Sequence, residues 1–381
     1  MNFKKIAGSL TMAIAAPAMA QSTVTLYGLI DEGINYTSNI GGSKQVALQS
    51  GTVQGSRWGI KGAEDLGGGL KAAFLLENGF NVNNGKLGQG GLMFGRQAWV
   101  GIASDRFGTV RLGRQYDSVV DYLADTTANG TWGGAAFSHP YDNDNTDNSF
   151  RVNNTVKYVS PEIAGLKFGG TYSFSNDTNF ANNRQYSAGA QFATGGLLLA
   201  VAYLQADHPS ATAGGAITNG GDENFVGSKL RIFGAGATYT FGSANIGVSY
   251  SNTYVADPTT SGYVGPITPV TGTLSSVRYQ NFEVNGKYQF TPALFVGAMY
   301  TYTLSNFNAT TGKLKPNYQT VGLMADYSLS KRTDVYIQGA YQHVGGDRTG
   351  TVLDYAFVPV TDDVSSNHNQ VVARVALRHK F

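Results

Sequence analysis

Along most of the chain, apolar and polar side chains trade places at every step. In the segment 281–290 the even positions are Phe282, Val284, Gly286, Tyr288 and Phe290, and the odd ones are Asn281, Glu283, Asn285, Lys287 and Gln289. Segments 166–174 and 335–343 repeat the pattern. At the end of the chain Val371, Ala373, Val375, Leu377, His379 and Phe381 share one face, and Arg374, Arg378 and Lys380 the other. Successive side chains of a strand point to opposite faces, so a period of two predicts strands that are oily on one side and wet on the other. The runs last about 9–13 residues, whereas soluble strands average about 5–6 and bilayer-crossing strands need about 9–11. Aromatic residues gather toward the ends of the apolar faces, at Tyr27, Tyr36, Phe168, Phe174, Tyr288, Phe290, Tyr300, Tyr302 and Phe381. Such girdles mark the two interfaces of a membrane. Hydrocarbon cannot satisfy an open sheet edge, so the pattern predicts an all-β fold, a closed transmembrane antiparallel β-barrel.

The connections give its size. Short turns are expected near 64–69, 104–108, 160–165, 194–196, 241–243, 291–292 and 330–333. Long polar connections are expected near 39–53, 81–92, 117–150, 176–184, 207–228, 255–279, 305–317 and 344–367. Seven short and eight long connections make 16 strands, an even number that brings the first strand beside the last. It leaves both termini on the short-turn, periplasmic side, and a barrel of this size encloses an aqueous lumen. No helical segment precedes or interrupts the strands, so 21–381 reads as a single barrel domain.

Residues 1–20 read as a cleaved signal peptide. Lys4 and Lys5 form a basic start, 6–16 is a short apolar stretch, and Ala18-Met19-Ala20 is a cleavage pattern. The chain is therefore expected to be exported. Composition narrows the classes further. Cysteine is absent, which excludes a disulfide scaffold and thiolate chemistry. Lys and Arg number 27 against 25 Asp and Glu, which gives no footprint for nucleic acid. The five histidines lack metal spacing and are expected to be solvated. The run Asp142–Asp147 begins like a calcium loop, but Asp147 stands where a glycine is required and Asn153 where a glutamate is. No metal, no cofactor and no catalytic group are expected, so the chain does not read as an enzyme.

Five stretches carry a family likeness: Val24–Gly28, Ser56–Gly67, Gly95–Gly101, Phe107–Arg114 and Leu377–Phe381. Together they resemble the general porins of Gram-negative outer membranes, with the look of the β-proteobacterial branch. The likeness covers all of 21–381. It implies a homotrimer of barrels embedded in outer-membrane lipid, each a passive pore for small hydrophilic solutes and ions. It also implies that the third long loop folds inward and that the barrel assembly machinery reads the terminal Phe381. One departure concerns that loop. Enterobacterial members carry a Pro-Glu-Phe-Gly motif there, whereas this chain reads Asp121-Tyr122-Leu123-Ala124-Asp125 and then Gly130-Thr131-Trp132-Gly133-Gly134.

The two faces then nominate pore residues. The strand phase puts Trp58 and Ile60 on the lipid side, so Arg57 and Lys61 face the lumen. The likeness turns Trp99 outward and Arg96 inward, and adds Arg151 to a basic wall at the constriction. Asp117, Asp121 and Asp125 of the loop are candidates to face that wall, and Glu77 resembles a lumen acid at the same level. Opposed charges across a narrow gap with low-dielectric walls create a transverse field that favours small polar solutes. Arg114 shares parity with Val110 and Leu112 and should point away from the lumen, into a subunit interface; Arg111 has the lumen parity. A substrate-specific channel for a sugar or an anion would want an aromatic slide or an all-basic throat. Mixed acids and bases favour general diffusion instead. An outer-membrane barrel enzyme or an adhesin is a weaker alternative.

Overall fold

A computed structural model of the protein describes residues 23–218 and 222–381. The expected leader, 1–20, lies outside the described residues. The strands in chain order are β1 (Thr23–Ile40), β2 (in two pieces, Ser43–Ser50 and Arg57–Gly67), β3 (Leu70–Gly79), β4 (Gln97–Ser104), β5 (Gly108–Gln115), β6 (Val152–Val159), β7 (Leu166–Ser173) and β8 (Arg184–Thr194). They continue with β9 (Leu197–Asp207), β10 (Lys229–Phe241), β11 (Ala244–Ala256), β12 (Leu274–Gln289), β13 (Leu294–Ala309), β14 (Gly312–Leu314 and Pro316–Ser328), β15 (Thr333–Gly346) and β16 (Asn369–Lys380). Each pairs antiparallel with its neighbours, giving a closed barrel of 16 strands. Closure runs from Leu29 opposite Lys380 to Thr37 opposite Val372. Gly28 and Phe381 exchange both backbone hydrogen bonds at 3.0 and 2.9 Å, and the Phe381 ring occupies the space where a Gly28 side chain would stand.

The seven short turns fall where the alternation breaks. Two of the eight long connections do not. Gly41 and Gly42, with φ of 56° and 105°, make a tight turn, and the chain resumes at once as a strand over Ser43–Ser50. Likewise Ala309 pairs with Gly312, so 305–317 is mostly the tip of a hairpin. Both tips project past the lipid. A strand in water on both faces loses its alternation and reads as a loop, yet the strand count is unchanged.

Cross-strand partners point to the same side of a sheet, and this corrects two orientations. Val24 and Leu26 are exposed on the outer face, so Tyr27 points inward and is not part of the girdle; its hydroxyl donates to Glu77 at 2.8 Å. Lys61, Leu75 and Trp99 lie opposite one another across β2, β3 and β4, so Trp99 also faces inward. The Arg111 guanidinium sits 4.5 Å from the Trp99 ring centre.

The interior is not uniformly hydrated. Between β8–β15 and the long loops lies a packed apolar core that includes Leu123, Tyr141, Phe150, Phe225, Tyr279, Phe307, Tyr318 and Phe357. Tyr141 stacks on Phe357 with ring centres 5.9 Å apart and meets Tyr318 edge-on. A small three-stranded sheet from Phe225–Val226, Thr260–Ser261 and Gly265–Pro266 ties these loops together. The open part of the bore is pushed toward β1–β6.

Candidate functional site: a charged passage beside an inward loop

The segment 116–151, between β5 and β6, folds into the barrel and is almost wholly buried. A track of lumen-facing glycines makes room for it. Tyr122 lies on Gly169 of β7 and Gly189 of β8, Leu123 on Gly234 and Thr126 on Gly236 of β10, Trp132 on Gly297 of β13, and Phe137 on Gly322 of β14. A Cβ at any of these glycines would come within 2.1–2.7 Å of the loop side chain, closer than real contacts allow. The track therefore lets loop side chains touch bare strand backbone, with the dispersion gain of close packing.

Polar contacts lock the same loop. Glu283 of β12 accepts from the Ala128 amide at 2.7 Å and lies 3.0 Å from Nε2 of His139. The other ring nitrogen of His139 is 2.6 Å from Asp144. Asn285 donates to the Thr126 carbonyl at 3.0 Å. His139 is fully buried, not solvated as its sequence position suggested. Burial opposes its charge, but Asp144 and Glu283 outweigh that and push its pKa up to about 10. At neutral pH the ring is an imidazolium donating from both nitrogens. The calcium-like run is likewise consumed internally: the Asp142 carboxylate accepts from the amides of Asp147 and Ser149 at 3.0 and 3.1 Å.

On the opposite side, Arg57, Arg96 and Arg151 converge on a cavity of about 470 Å³ that Tyr116, Asp125, Asp147, Glu223 and Tyr263 also line. Arg96 is buried and pairs with Glu77 through Nε at 2.8 Å. Its other end donates to the Tyr116 hydroxyl at 2.9 Å. The Tyr116 ring is 5.9 Å from the Arg96 guanidinium and 6.0 Å from that of Arg151, so one aromatic ring spaces the two cations. Arg57 donates through Nε to the Gly55 carbonyl at 2.8 Å. Arg151 reaches Asp222 at 3.4 Å, and the same carboxylate pairs with Arg114.

The sequence-nominated residues thus separate. Arg57, Arg96, Arg151 and Asp125 share the cavity; Asp125 is exposed there and accepts from Gln191 at 2.7 Å. Arg96 lines this cavity, and Trp99 faces inward too, against the outward orientation that the likeness implied. Lys61 lies four residues further toward the short-turn end, over the Tyr27 ring at 5.2 Å, and does not line this cavity. Glu77 is on the arginine wall itself, buried between Arg96, Tyr27 and Tyr116, and does not oppose it across a gap. Asp117 is fully buried and caps its own loop, accepting from the Val119 amide at 2.7 Å and from Asn145 at 2.7 Å. Burial, only partly offset by those bonds, raises its pKa to about 6. Asp121 pairs with Lys157 of β6 instead of with the three arginines. Arg114 keeps its outward parity opposite Ala98, but the chain's own Asp222 and Gly95 bury it.

The sequence reading missed Tyr116, Asp147 and Glu223. Asp147 stood in a run discounted as a failed metal loop, and only the fold of 116–151 carries it to the arginines. Burial raises its carboxyl to about 7, against the pull of Arg151 and Arg96.

A barrel with an oily outer belt, a loop packed into its bore and a charged passage left beside that loop is an outer-membrane channel for passive diffusion, not an enzyme. The comparisons with known proteins agree. A family model described as Gram-negative porin matches residues 7–347. An outer membrane porin protein of Bordetella pertussis is 31% identical over 99% of this chain and 99% of its own length. Outer membrane porin protein 32 of Delftia acidovorans is 28% identical over 84% of this chain and 92% of its own. Among solved structures, an anion-selective porin from Comamonas acidovorans superposes with a TM-score of 0.70 at 23% identity, covering 95% of this chain and all of that one. The chain belongs to the Gram-negative porin family and resides in the outer membrane.

Proposed function

We propose that Arg57, Arg96 and Arg151 form the basic wall of the channel's narrowest point, that Asp125 and Asp147 face them from the loop, and that the pore is a general one. The observation that carries this is the convergence of both signs of charge on one cavity: Arg57, Arg96 and Arg151 stand on the barrel wall, with Glu77 paired to Arg96 and Asp222 to Arg151 and Arg114, and Asp125 and Asp147 line the same cavity from the loop. Asp147, with its pKa raised to about 7, carries only part of a negative charge at neutral pH. Opposed charges in a low-dielectric passage create a transverse field and set the balance of ions that enter it. Small hydrophilic solutes of either sign still find a wet, polar path, and apolar ones lose to its transverse field. In this reading Lys61 adds positive charge below the narrow point and Asp121 is held back by Lys157.

The same reading includes a homotrimer. Glu32 of β1 points outward between Ser50 and Leu377 at the closing seam, and a carboxylate there suits contact with another subunit better than contact with lipid. Phe381 serves as the assembly signal besides sealing that seam, and residues 1–20 are removed on export from the domain 21–381. The test is recording from purified protein in planar bilayers under a salt gradient. Steps in triplets are expected, with a reversal potential that Arg57→Glu moves toward cations. An unchanged reversal potential in that variant would take Arg57 out of the narrow point.

A further inference from the structure

Strand β2 is broken part-way along by a bulge. Ser50 pairs with Glu32 and Arg57 with Leu29, so two residues of β1, Ile30 and Asp31, stand opposite six of β2, Gly51 to Ser56. At this level Ile30 and Ile34 of β1 are exposed on the oily outer face. Backbone freed from the ladder here cannot turn to lipid, where its polar groups would find no partner. It turns into the bore instead, and residues 51–55 all line the cavity of the three arginines.

One residue gathers the bulge. Asp31 is fully buried and accepts through Oδ2 from the amides of Val53 and Gln54 at 2.9 and 3.0 Å. Its carbonyl accepts from the Gly51 amide at 2.8 Å and from the Ser56 hydroxyl at 3.2 Å. Oδ1 is fixed from the other side: the Tyr336 hydroxyl of β15 donates to it at 2.7 Å, and Arg374 of β16 reaches it at 3.1 Å. Arg374 is itself held by Asn35 at 2.7 Å and by the Gln49 carbonyl at 2.9 Å. Charge-assisted bonds from three directions give the carboxylate a single seat. The bulge then touches both sides of the passage. The Gly55 carbonyl takes the Nε proton of Arg57 at 2.8 Å, and a Cβ on Gly55 would stand 3.2 Å from a guanidinium nitrogen of Arg96. On the other flank the Thr52 carbonyl accepts from the Ala135 amide of the inward loop at 2.8 Å. Gly134, at φ 65°, lies so close that a Cβ would come 2.3 Å from the Val53 backbone. The bulge thus bridges the arginine wall and the loop.

We propose that the bulge 51–56 is a second constricting element beside the inward loop, and that Asp31 is its positioning residue. Bulges re-aim the side chains next to them, and here the Gly55 carbonyl aims Arg57. Asp31 never meets the stream and acts only through the bulge. The inference rests on the arginine wall being the narrowest point. The experiment deletes Thr52–Gly55 from the full channel. Gly51 is then left opposite Asp31 and Ser56 opposite Ile30, which keeps the alternation of β2 intact. Single-channel conductance in planar bilayers is expected to rise roughly 1.5- to 2-fold, and liposome swelling to show entry of larger neutral sugars. Asp31→Asn sets an amide NH2 against either the bulge amides or Arg374. It should raise conductance in the parent and change nothing further in the deletion background, because coupled residues do not add. If the deletion does not assemble, Gln54→Cys reads the same point, since the chain has no cysteine of its own. A cationic thiol reagent is expected to cut that variant's conductance by about half. A deletion channel with the parent's conductance and size limit, or full current through modified Gln54→Cys, would overturn the role of the bulge. Equal increments from Asp31→Asn in both backgrounds, or none in the parent, would overturn that of Asp31. Failure of the arginine reading is seen separately, as an unchanged reversal potential in Arg57→Glu.

Discussion

The two walls of one bore are built on opposite rules. From β2 to β6 the lumen positions carry Arg57, Glu77, Arg96, Arg111 and Lys157, and the space before Arg57 and Arg96 stays open. From β7 to β14 they carry Gly169, Gly189, Gly234, Gly236, Gly297 and Gly322, and the space before them is filled by the loop. Strand number fixes the diameter of a barrel, and 16 strands leave more room than a selective passage needs. The chain narrows its bore by packing one side to the density of a soluble core and leaving the charged side wet. Close packing of bare strand backbone makes the filled wall stiff, which holds the acids of 116–151 at a fixed distance from the arginines.

The largest effect on this contrast is expected from Glu283→Ala. It leaves the His139 imidazolium with Asp144 alone and strips the acceptor from two buried donors, the second ring N–H and the Ala128 amide, at about 1–3 kcal/mol for each. The loop should detach for part of the time, and single-channel recording should show rapid fluctuation and raised mean conductance. A trace as quiet as the parent's would mean that the loop is held by its apolar contacts alone. The same anchor should weaken with alkali. The pKa of His139 is raised on folding, so its contribution is complete below about pH 6.5, declines above that, and is gone once pH passes about 10.

A middle-sized effect is expected from Gly236→Val, whose Cβ would stand 2.1 Å from Thr126. Overpacking of this kind costs about 1–3 kcal/mol. Because the strand cannot retreat, the loop must move toward the arginines, and conductance should fall without loss of the folded barrel. A control at Gly242, a short-turn glycine with open space around it, should be silent if the substitute is asparagine, which tolerates its φ of 55°. The smallest effect is expected from acid itself. Asp147 loses its charge as pH falls through about 7, which leaves the arginines less opposed. Anion preference should rise between pH 8 and pH 6 by less than about threefold, and Asp147→Asn should flatten the response at the acid-side value. A pH response unchanged in Asp147→Asn would assign the titration to another group.

Much of the barrel was legible because lipid enforces it. Side chains such as Val24, Leu26, Val284 and Leu377 had to face hydrocarbon, so alternation survived in the sequence wherever strands cross the belt. It failed at 39–53 and 305–317, where strands stand in water. Arg57 could be assigned to the lumen from Trp58 and Ile60 alone. Trp99 and Tyr27 could not, because an aromatic ring is at home on either face of a porin strand. Among the loop acids, Asp117, Asp121 and Asp125 looked alike in sequence, yet they became a buried cap, a partner of Lys157 and a passage-lining charge.

The amino-acid order by itself determined the strand number, the closure of the sheet, the oily belt and the basic residues of one wall, since each of these follows from local alternation and a count of turns. Only the tertiary structure decided which glycines receive the loop, that His139 is clamped between Asp144 and Glu283, and that Asp147 reaches the arginines. Those outcomes depend on contacts between residues far apart in the chain. The path of 116–151 through the bore is set by the sum of many small packing terms, and no period in the sequence encodes that sum.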